Sequence, residues 1–295
     1  MALPFKWAHG RYIEYVEDIF CAQDNGKPIQ IEDHLKTTIA NTIEKYALSD
    51  SEIAATKSVI TSIHSVPVSY GDRTDSFHKR ILLFMPLFFN CENESDERLA
   101  KFTKFGSSRS KDNVPLDPNN PTVREFKSLH ILSEEAKQFS IARELERCNT
   151  GYQTQDTLFG FFVLLSNYFV ARGFNNKFNL FKQKLHMRMA NYILTSCLHA
   201  LFFLQAYVTL SVSREVEIDE KIARVSEAWA KGGAELYAKE RARNLCLKTL
   251  DPKTFKSTFN NKGDLKLPLL TKNLSYSDRI DRCEKITALH HAGLN

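Results

Sequence analysis

Hydrophobic residues recur at helical spacing along most of the chain. Ile31, Leu35, Ile39 and Ile43 stand four apart and mark one stripe of a helix over residues 32–47. Ser49-Asp50-Ser51-Glu52 follows, and Ser49 or Asp50 can cap the next helix by accepting hydrogen bonds from its free amides. That helix carries Ile53, Val59, Ile60 and Ile63 and ends before Pro67. Upstream, residues 12–20 have helical spacing and stop at Asp24-Asn25-Gly26-Lys27-Pro28. A turn at Tyr70-Gly71-Asp72 leads to residues 78–90. Within them, 81–89 are apolar on every side and read as a core element, helix or strand, which Pro86 interrupts. Residues 106–122 are rich in Gly, Ser, Asp, Asn and Pro and read as a linker or long surface loop.

Beyond that loop the pattern predicts further helices. Residues 123–148 are amphipathic, and 156–172 are nearly all apolar and close at Gly173. Residues 174–186 are short and basic on one face. Residues 215–250 are long and highly charged, with Gly232-Gly233 as a break or kink. A terminal helix covers 277–290. The most apolar stretch is 192–212. A membrane span is one reading of it, but it holds Thr195, Ser196, His199 and Gln205, and polar groups in lipid cost free energy unless paired. It is therefore read as a buried core helix. The fold expected is all-α, a helical bundle of layered helices. Its parts are a helical support over 1–105, a linker over 106–122, a helical core over 123–212 and a C-terminal helical region over 213–295.

Composition sharpens this only a little. The chain has 295 residues, 43% hydrophobic and 25% charged, enough to bury a sizeable core. Eleven glycines and nine prolines are few, which favours helices over a turn-rich β fold. The net charge of +5 is a mild excess without a clustered basic run, so a nucleic-acid partner is not expected. The six cysteines lie far apart with no Cys-x-x-Cys pair, which argues against a zinc site and fits a reducing compartment. The first ten residues hold no apolar run of signal-peptide length.

Catalytic motifs are missing. There is no Gly-x-Ser-x-Gly elbow, no His-Glu-x-x-His pair and no Gly-rich phosphate loop. The adjacent histidines His290-His291 point apart on a helix and do not make a metal pair. No metal, no cofactor and no covalent catalysis are expected. Two features remain. Asp156 opens the apolar helix over 156–172, either as a plain first-turn carboxylate favoured by the free amides or as a functional acid. Tyr192, Thr195, Ser196 and His199 form one face of the helix over 192–212, and that polar stripe is either satisfied by a neighbouring helix or turned to a groove that receives a partner.

Residues 192–204, Tyr-Ile-Leu-Thr-Ser-Cys-Leu-His-Ala-Leu-Phe-Phe-Leu, resemble the last core helix of the vacuolar-protein-sorting Rab-exchange domain of Vps-nine type. That helix reads Tyr-x-x-Thr-x-x-x-x-Ala-x-x-Phe-Ile, and here Tyr192, Thr195, Ala200 and Phe203-Leu204 fill those places. Asp156-Thr157-Leu158-Phe159-Gly160 stands where the family has Asp-Asp-x-x-Pro. The family proline thus falls on Gly160, and the second acid on Thr157. The resemblance covers roughly residues 126–205. It implies a Rab-exchange-like helical core and a guanine-nucleotide exchange factor for endosomal-type Rab GTPases. Asp156 would be an acidic finger that competes for the phosphate-loop lysine and loosens GDP. Tyr192 and Thr195 would hydrogen-bond the switch regions. Gly160, Phe161, Leu164, Leu165 and His199 would line the partner surface. It also implies a cytosolic chain with no transmembrane segment and peripheral endosome association. The strong divergence is consistent with a bacterial effector acting in a host cytosol. The alternatives are a non-catalytic helical scaffold or adaptor, and an enzyme with an unrecognised site.

Overall fold

The computed structural model describes residues 20–24, 27–46, 48–61, 66–70, 81–93, 117, 119–266 and 274–293. Residues 12–19 of the helix expected over 12–20, residues 25–26 and 71–72 of the expected turns, and most of the linker expected over 106–122 lie outside the described residues.

The described elements are mostly helical, with a small sheet. In chain order they are β1 (Gln23–Asp24), β2 (Lys27–Pro28), α1 (Asp33–Lys45), α2 (Asp50–Ala55), β3 (Thr56–Thr61), β4 (Val68–Tyr70) and β5 (Ile81–Pro86). A 3₁₀ turn at Leu87–Asn90 follows. Then come α3 (Pro121–Ser128), α4 (Glu134–Asn149), α5 (Tyr152–Lys177), α6 (Leu185–Ala223), α7 (Glu227–Leu250), α8 (Pro252–Phe255) and α9 (Tyr276–His291). The chain divides into two compact units. The first comprises 1–151, 216–266 and 274–295. The second comprises 152–215 and 267–273, so the last turns of α6 belong to the first unit.

In the first unit the all-α expectation is corrected by a three-stranded sheet of order β3-β5-β4. β3 runs parallel to β5 and β4 antiparallel to it, so β5 is central and every residue of it is buried. Its side chains alternate between faces, the period of a strand. Leu83 and Met85 join the main core with Ile60, while Leu82 and Phe84 meet Val59, Phe20 and Tyr70 on the other side. The helix expected to run from Ser49 to Pro67 stops at Ala55. Thr56, Val59, Ile60 and Thr61 are β-branched, and pairing with the buried β5 overrides a helical continuation. The Ser49 start does hold: its amide and hydroxyl both reach the Glu52 carboxylate, at 2.9 and 2.7 Å.

α4 and α7 pack together at the centre of the helical layer, with α9 and α3 against α7 and α1 against α4. The amphipathic run over 123–148 is two helices, because Ser133 caps α4 by accepting from the Ala136 amide at 3.1 Å. Trp229 at the start of α7 is fully buried, and its indole N–H donates to Gln138 Oε1 at 3.0 Å. Gly232-Gly233 makes no break. A Cβ on Gly232 would stand 2.5 Å from the Glu135 carbonyl carbon and oxygen, and one on Gly233 would stand 2.8 Å from the Phe139 ring. These glycines let α7 approach α4. The long helix expected over 215–250 breaks instead at residues 224–226, where Ser226 caps α7 by accepting from the Trp229 amide at 3.2 Å.

Several buried charges of this unit are paired, while Lys137 donates to the Phe89 carbonyl at 3.1 Å. Asp219 accepts from Arg143 Nε, Arg279 Nη1 and the Tyr237 hydroxyl, each at 2.7 Å. Glu144 takes Arg143 and Arg147 at 2.8 and 3.0 Å and also the Ser69 amide at 3.1 Å. Burial pushes the Tyr237 hydroxyl far above its usual range, so it stays a donor to Asp219. Breaking such a pair costs more than the pair contributes, so the network fixes which helices meet.

Candidate functional site

The two candidate features of the sequence both fall in the second unit, on α5 and on the first part of α6. Neither helix contains a proline, and the connection between them is short. Residues 178–179 turn, Asn179 takes the left-handed conformation (φ 53°) that asparagine tolerates best among residues with a Cβ, and a 3₁₀ turn at Leu180–Lys182 precedes α6. The result is an antiparallel helical hairpin. The stop expected at Gly173 and the separate basic helix over 174–186 are corrected: α5 runs through Gly173 to Lys177, and α6 begins at Leu185.

The register is fixed by polar contacts along one seam. Asn167 Nδ2 donates to Ser196 Oγ at 3.0 Å, and Ser166 Oγ and His199 Nε2 stand 3.1 Å apart. Nearer the turn, Asn191 Nδ2 reaches the Ala171 carbonyl at 3.3 Å and Asn175 Oδ1 at 3.0 Å. At the open end the Tyr207 hydroxyl and Arg214 Nη1 donate to the Asp156 carboxylate at 3.2 and 2.8 Å. The seam also holds aromatic contacts of Phe203 with Phe159 and His199, at 5.7 and 4.9 Å between ring centroids.

Asp156 is not a first-turn residue, since α5 starts at Tyr152. It lies in the second turn, half-buried, and its charge is met by Arg214. Thr195 is buried, and its hydroxyl donates to its own helix, at 2.8 Å to the Asn191 carbonyl and 3.2 Å to that of Tyr192. Of the two readings of the polar stripe, internal satisfaction holds for Thr195, Ser196 and His199. Tyr192 is 40% exposed. Gly160 has open space around it. Phe161, Leu164 and Leu165 are exposed, at 65%, 71% and 43%. At 100° per residue Phe161 and Leu165 fall opposite the seam, and Leu164 falls on its flank.

The reading of 192–212 as a buried core helix is corrected. Ile193, Leu194, Leu198, Leu201 and Phe202 on α6, and Leu158, Phe162 and Phe169 on α5, each leave half or more of their surface uncovered. Together with Phe161 and Leu164 they expose on the order of 1,000 Å² of apolar side chain, beyond the largest patch of an ordinary soluble monomer. By length and composition Gln155–Lys177 and Leu185–Ala223 can each cross a membrane, and 6% of the most apolar window of each is buried.

The partners of Asp156, namely Arg214 and Tyr207, and the seam residues Ser166, Asn167, Asn175 and Asn191 were not singled out by sequence. Their signal was there: lone amides and hydroxyls within otherwise apolar helices. Among the described residues no group of three or more His, Cys, Asp or Glu is arranged to hold a metal. In the first unit the His290 ring meets the Ala223 carbonyl at 3.2 Å, and His291 faces Glu227 at 3.2 Å.

No family model matches the chain, and no solved structure matches it. A segment of 135 residues, 46% of the chain, is 24% identical to a rat protein named Transmembrane protein 177. The match spans 43% of that relative's length, so what the chain is similar to is less than half of a protein whose name places it in a membrane.

Proposed function

We propose that the hairpin of α5 and α6 is embedded in a lipid bilayer and anchors the first unit there, making the chain a membrane-bound helical scaffold. One observation carries this: the hairpin is polar within and apolar without. Ser166, Asn167, Asn175, Asn191, Ser196 and His199 are spent on the seam, while most of its Phe, Leu and Ile side chains are exposed. In water that arrangement leaves the hydrophobic surface uncovered. Lipid suits it better, because backbone groups bond within each helix and polar side chains bond across the pair.

The dimensions agree. From Asp156 to Lys177 a helix rises about 30 Å, the thickness of a hydrocarbon core. Arg172 is the one charge inside that length, and it donates to the Tyr168 hydroxyl at 3.2 Å. Its long stem also lets the guanidinium reach toward the interface. Asp156 and Arg214 neutralise each other at the open end. The membrane name of the partial relative supports the same reading.

The test is flotation of the purified full chain with phosphatidylcholine vesicles on a density gradient, before and after an alkaline carbonate wash. The protein is expected to rise with the vesicles and resist the wash. Protein that stays at the bottom as a soluble monomer, or is stripped by the wash, overturns the anchor.

A second reading, nucleotide exchange on a Rab-type GTPase, is favoured by a different observation. The helices bearing Asp156 and Tyr192 pack side by side, with exposed Phe161, Leu164 and Leu165 on the Asp156 helix. On that reading Asp156 would exchange Arg214 for the lysine of the GTPase phosphate loop. Release of fluorescent GDP from early-endosomal Rab proteins would then be accelerated, and Asp156→Ala would lower the rate at least tenfold. No acceleration by the unsubstituted chain ends this reading.

A further inference from the structure

We infer that the closed end of the hairpin, residues 172–188, binds the headgroups of anionic phospholipids. The inference rests on the bilayer reading above and adds the chemistry of the lipid.

Five cations, Arg172, Lys177, Lys182, Lys184 and Arg188, fall within this short segment, and His186 lies among them. No Asp or Glu occurs anywhere from Thr157 to Arg214, nor over 267–273, the other stretch of the same unit. The two acids of the same unit, Asp156 and Glu215, lie at the opposite ends of α5 and of this part of α6, so neither stands beside the segment. The hairpin gathers these charges at one end. The contact of Asn191 with Asn175 sets Arg188 level with the end of α5, and Lys182 and Lys184 stand on the turn. Arg172, Lys177, Lys182 and Lys184 are exposed. Arg188 is half-buried, and its Nε is cut off from solvent with no acceptor among the described residues. It is a donor left over in a cationic setting.

Aromatic rings are interleaved with the charges. Phe174 and Phe178 stack at 5.9 Å with an interplanar angle of 12°, and Phe181 is 50% exposed. Rings at this level enter the zone between headgroup and acyl chain, while the lysines above them reach phosphate oxygens. An ordinary solvated loop needs neither the exposed phenylalanines nor the exclusion of every acid. A lipid phosphate without a compensating choline meets both halves of this surface.

The experiment uses the full chain in neutral detergent micelles, titrated with fluorescent phosphatidylglycerol or fluorescent phosphatidylcholine at low ionic strength. Phosphatidylglycerol is expected to bind at least tenfold more tightly, and the preference should shrink as salt screens the charges. Each basic residue near an anionic lipid surface is worth about fivefold, so the combined K177Q/K182Q/K184Q variant should lose about a hundredfold of preference or all of it. The matching Lys→Arg variant should retain the preference, which separates lost charge from lost fold. Inorganic phosphate in millimolar excess should not displace the lipid. Equal affinity for the two lipids, survival of the preference in the Gln variant, or displacement by inorganic phosphate overturns the inference. Flotation separates this from failure of the anchor. A chain that floats with phosphatidylcholine but shows no lipid preference keeps its anchor and loses only the headgroup site.

Discussion

His130 stands between Phe88 and Phe126, with ring centroids 4.9 and 4.6 Å away, and its Nδ1 donates to the Phe126 carbonyl at 2.7 Å. Burial, reinforced by the Arg243 charge and opposed by the bond to Phe126, lowers its pKa to about 3 from the ordinary 6.5. The folded chain therefore keeps this ring neutral where the unfolded chain takes a proton. The stability it contributes is full above about pH 6.5 and is lost as pH falls from there toward about 3. Going from pH 7 to pH 5 should cost about 2 kcal/mol at this residue alone. Denaturant unfolding at the two pH values measures it, and His130→Phe should flatten the difference by that amount. An unchanged slope in the variant would mean the ring is not kept neutral. Sequence showed a histidine and no more, because neither the phenylalanines nor Arg243 are fixed against it until α3, α7 and the 3₁₀ turn meet.

Among the elements, the pair α4 and α7 shows how little of a contact is written in one strand of sequence. Two adjacent glycines inside a charged helical run suggest a kink, since glycine costs about 1 kcal/mol in a helix interior. Their reason lies on the other helix, whose backbone at Glu135 fills the space of the missing Cβ. Gly232→Ala should gain helix propensity and still destabilise the chain by about 1–3 kcal/mol, because the Glu135 backbone opposite cannot swing aside. The midpoint of chemical unfolding followed by circular dichroism reads the change, and a stabilised variant would show that the approach is not a constraint. Other elements were legible. α1 and α9 lie within one or two residues of their expected bounds, as their caps and apolar stripes are local features. β3 was not, since Val59 and Ile60 fit a helical stripe until β5 offers them a ladder.

Two units of opposite construction make up the whole molecule. The first keeps its apolar side chains inside and ties Arg143, Glu144 and Asp219 into one buried network. The second exposes its apolar side chains and hides its amides. The same physical rule yields both, because each polar group must be paired and each apolar surface must leave water. The proposed bilayer supplies for the second unit what α4 and its neighbours supply for the first. Flotation with carbonate washing tests that statement at the level where it is made, since no single side chain decides it. The acid-and-tyrosine resemblance reads the same hairpin as a protein-binding surface, and the nucleotide-release measurement distinguishes the two uses.

Local propensity by itself determined that this chain is mostly helical, that a helix starts at Ser49, and that residues 156–212 hold its most apolar matter. It also carried the exclusion of acids from the hairpin turn, which is a matter of composition. What only the tertiary structure decided is which way each side chain faces. A stretch of leucine and phenylalanine reads the same whether it is covered or bare, and the structure leaves much of it exposed on α5 and α6. In the same way Asp156 reads in sequence as a first-turn carboxylate or a functional acid, and only α6 supplies its partner Arg214 at 2.8 Å.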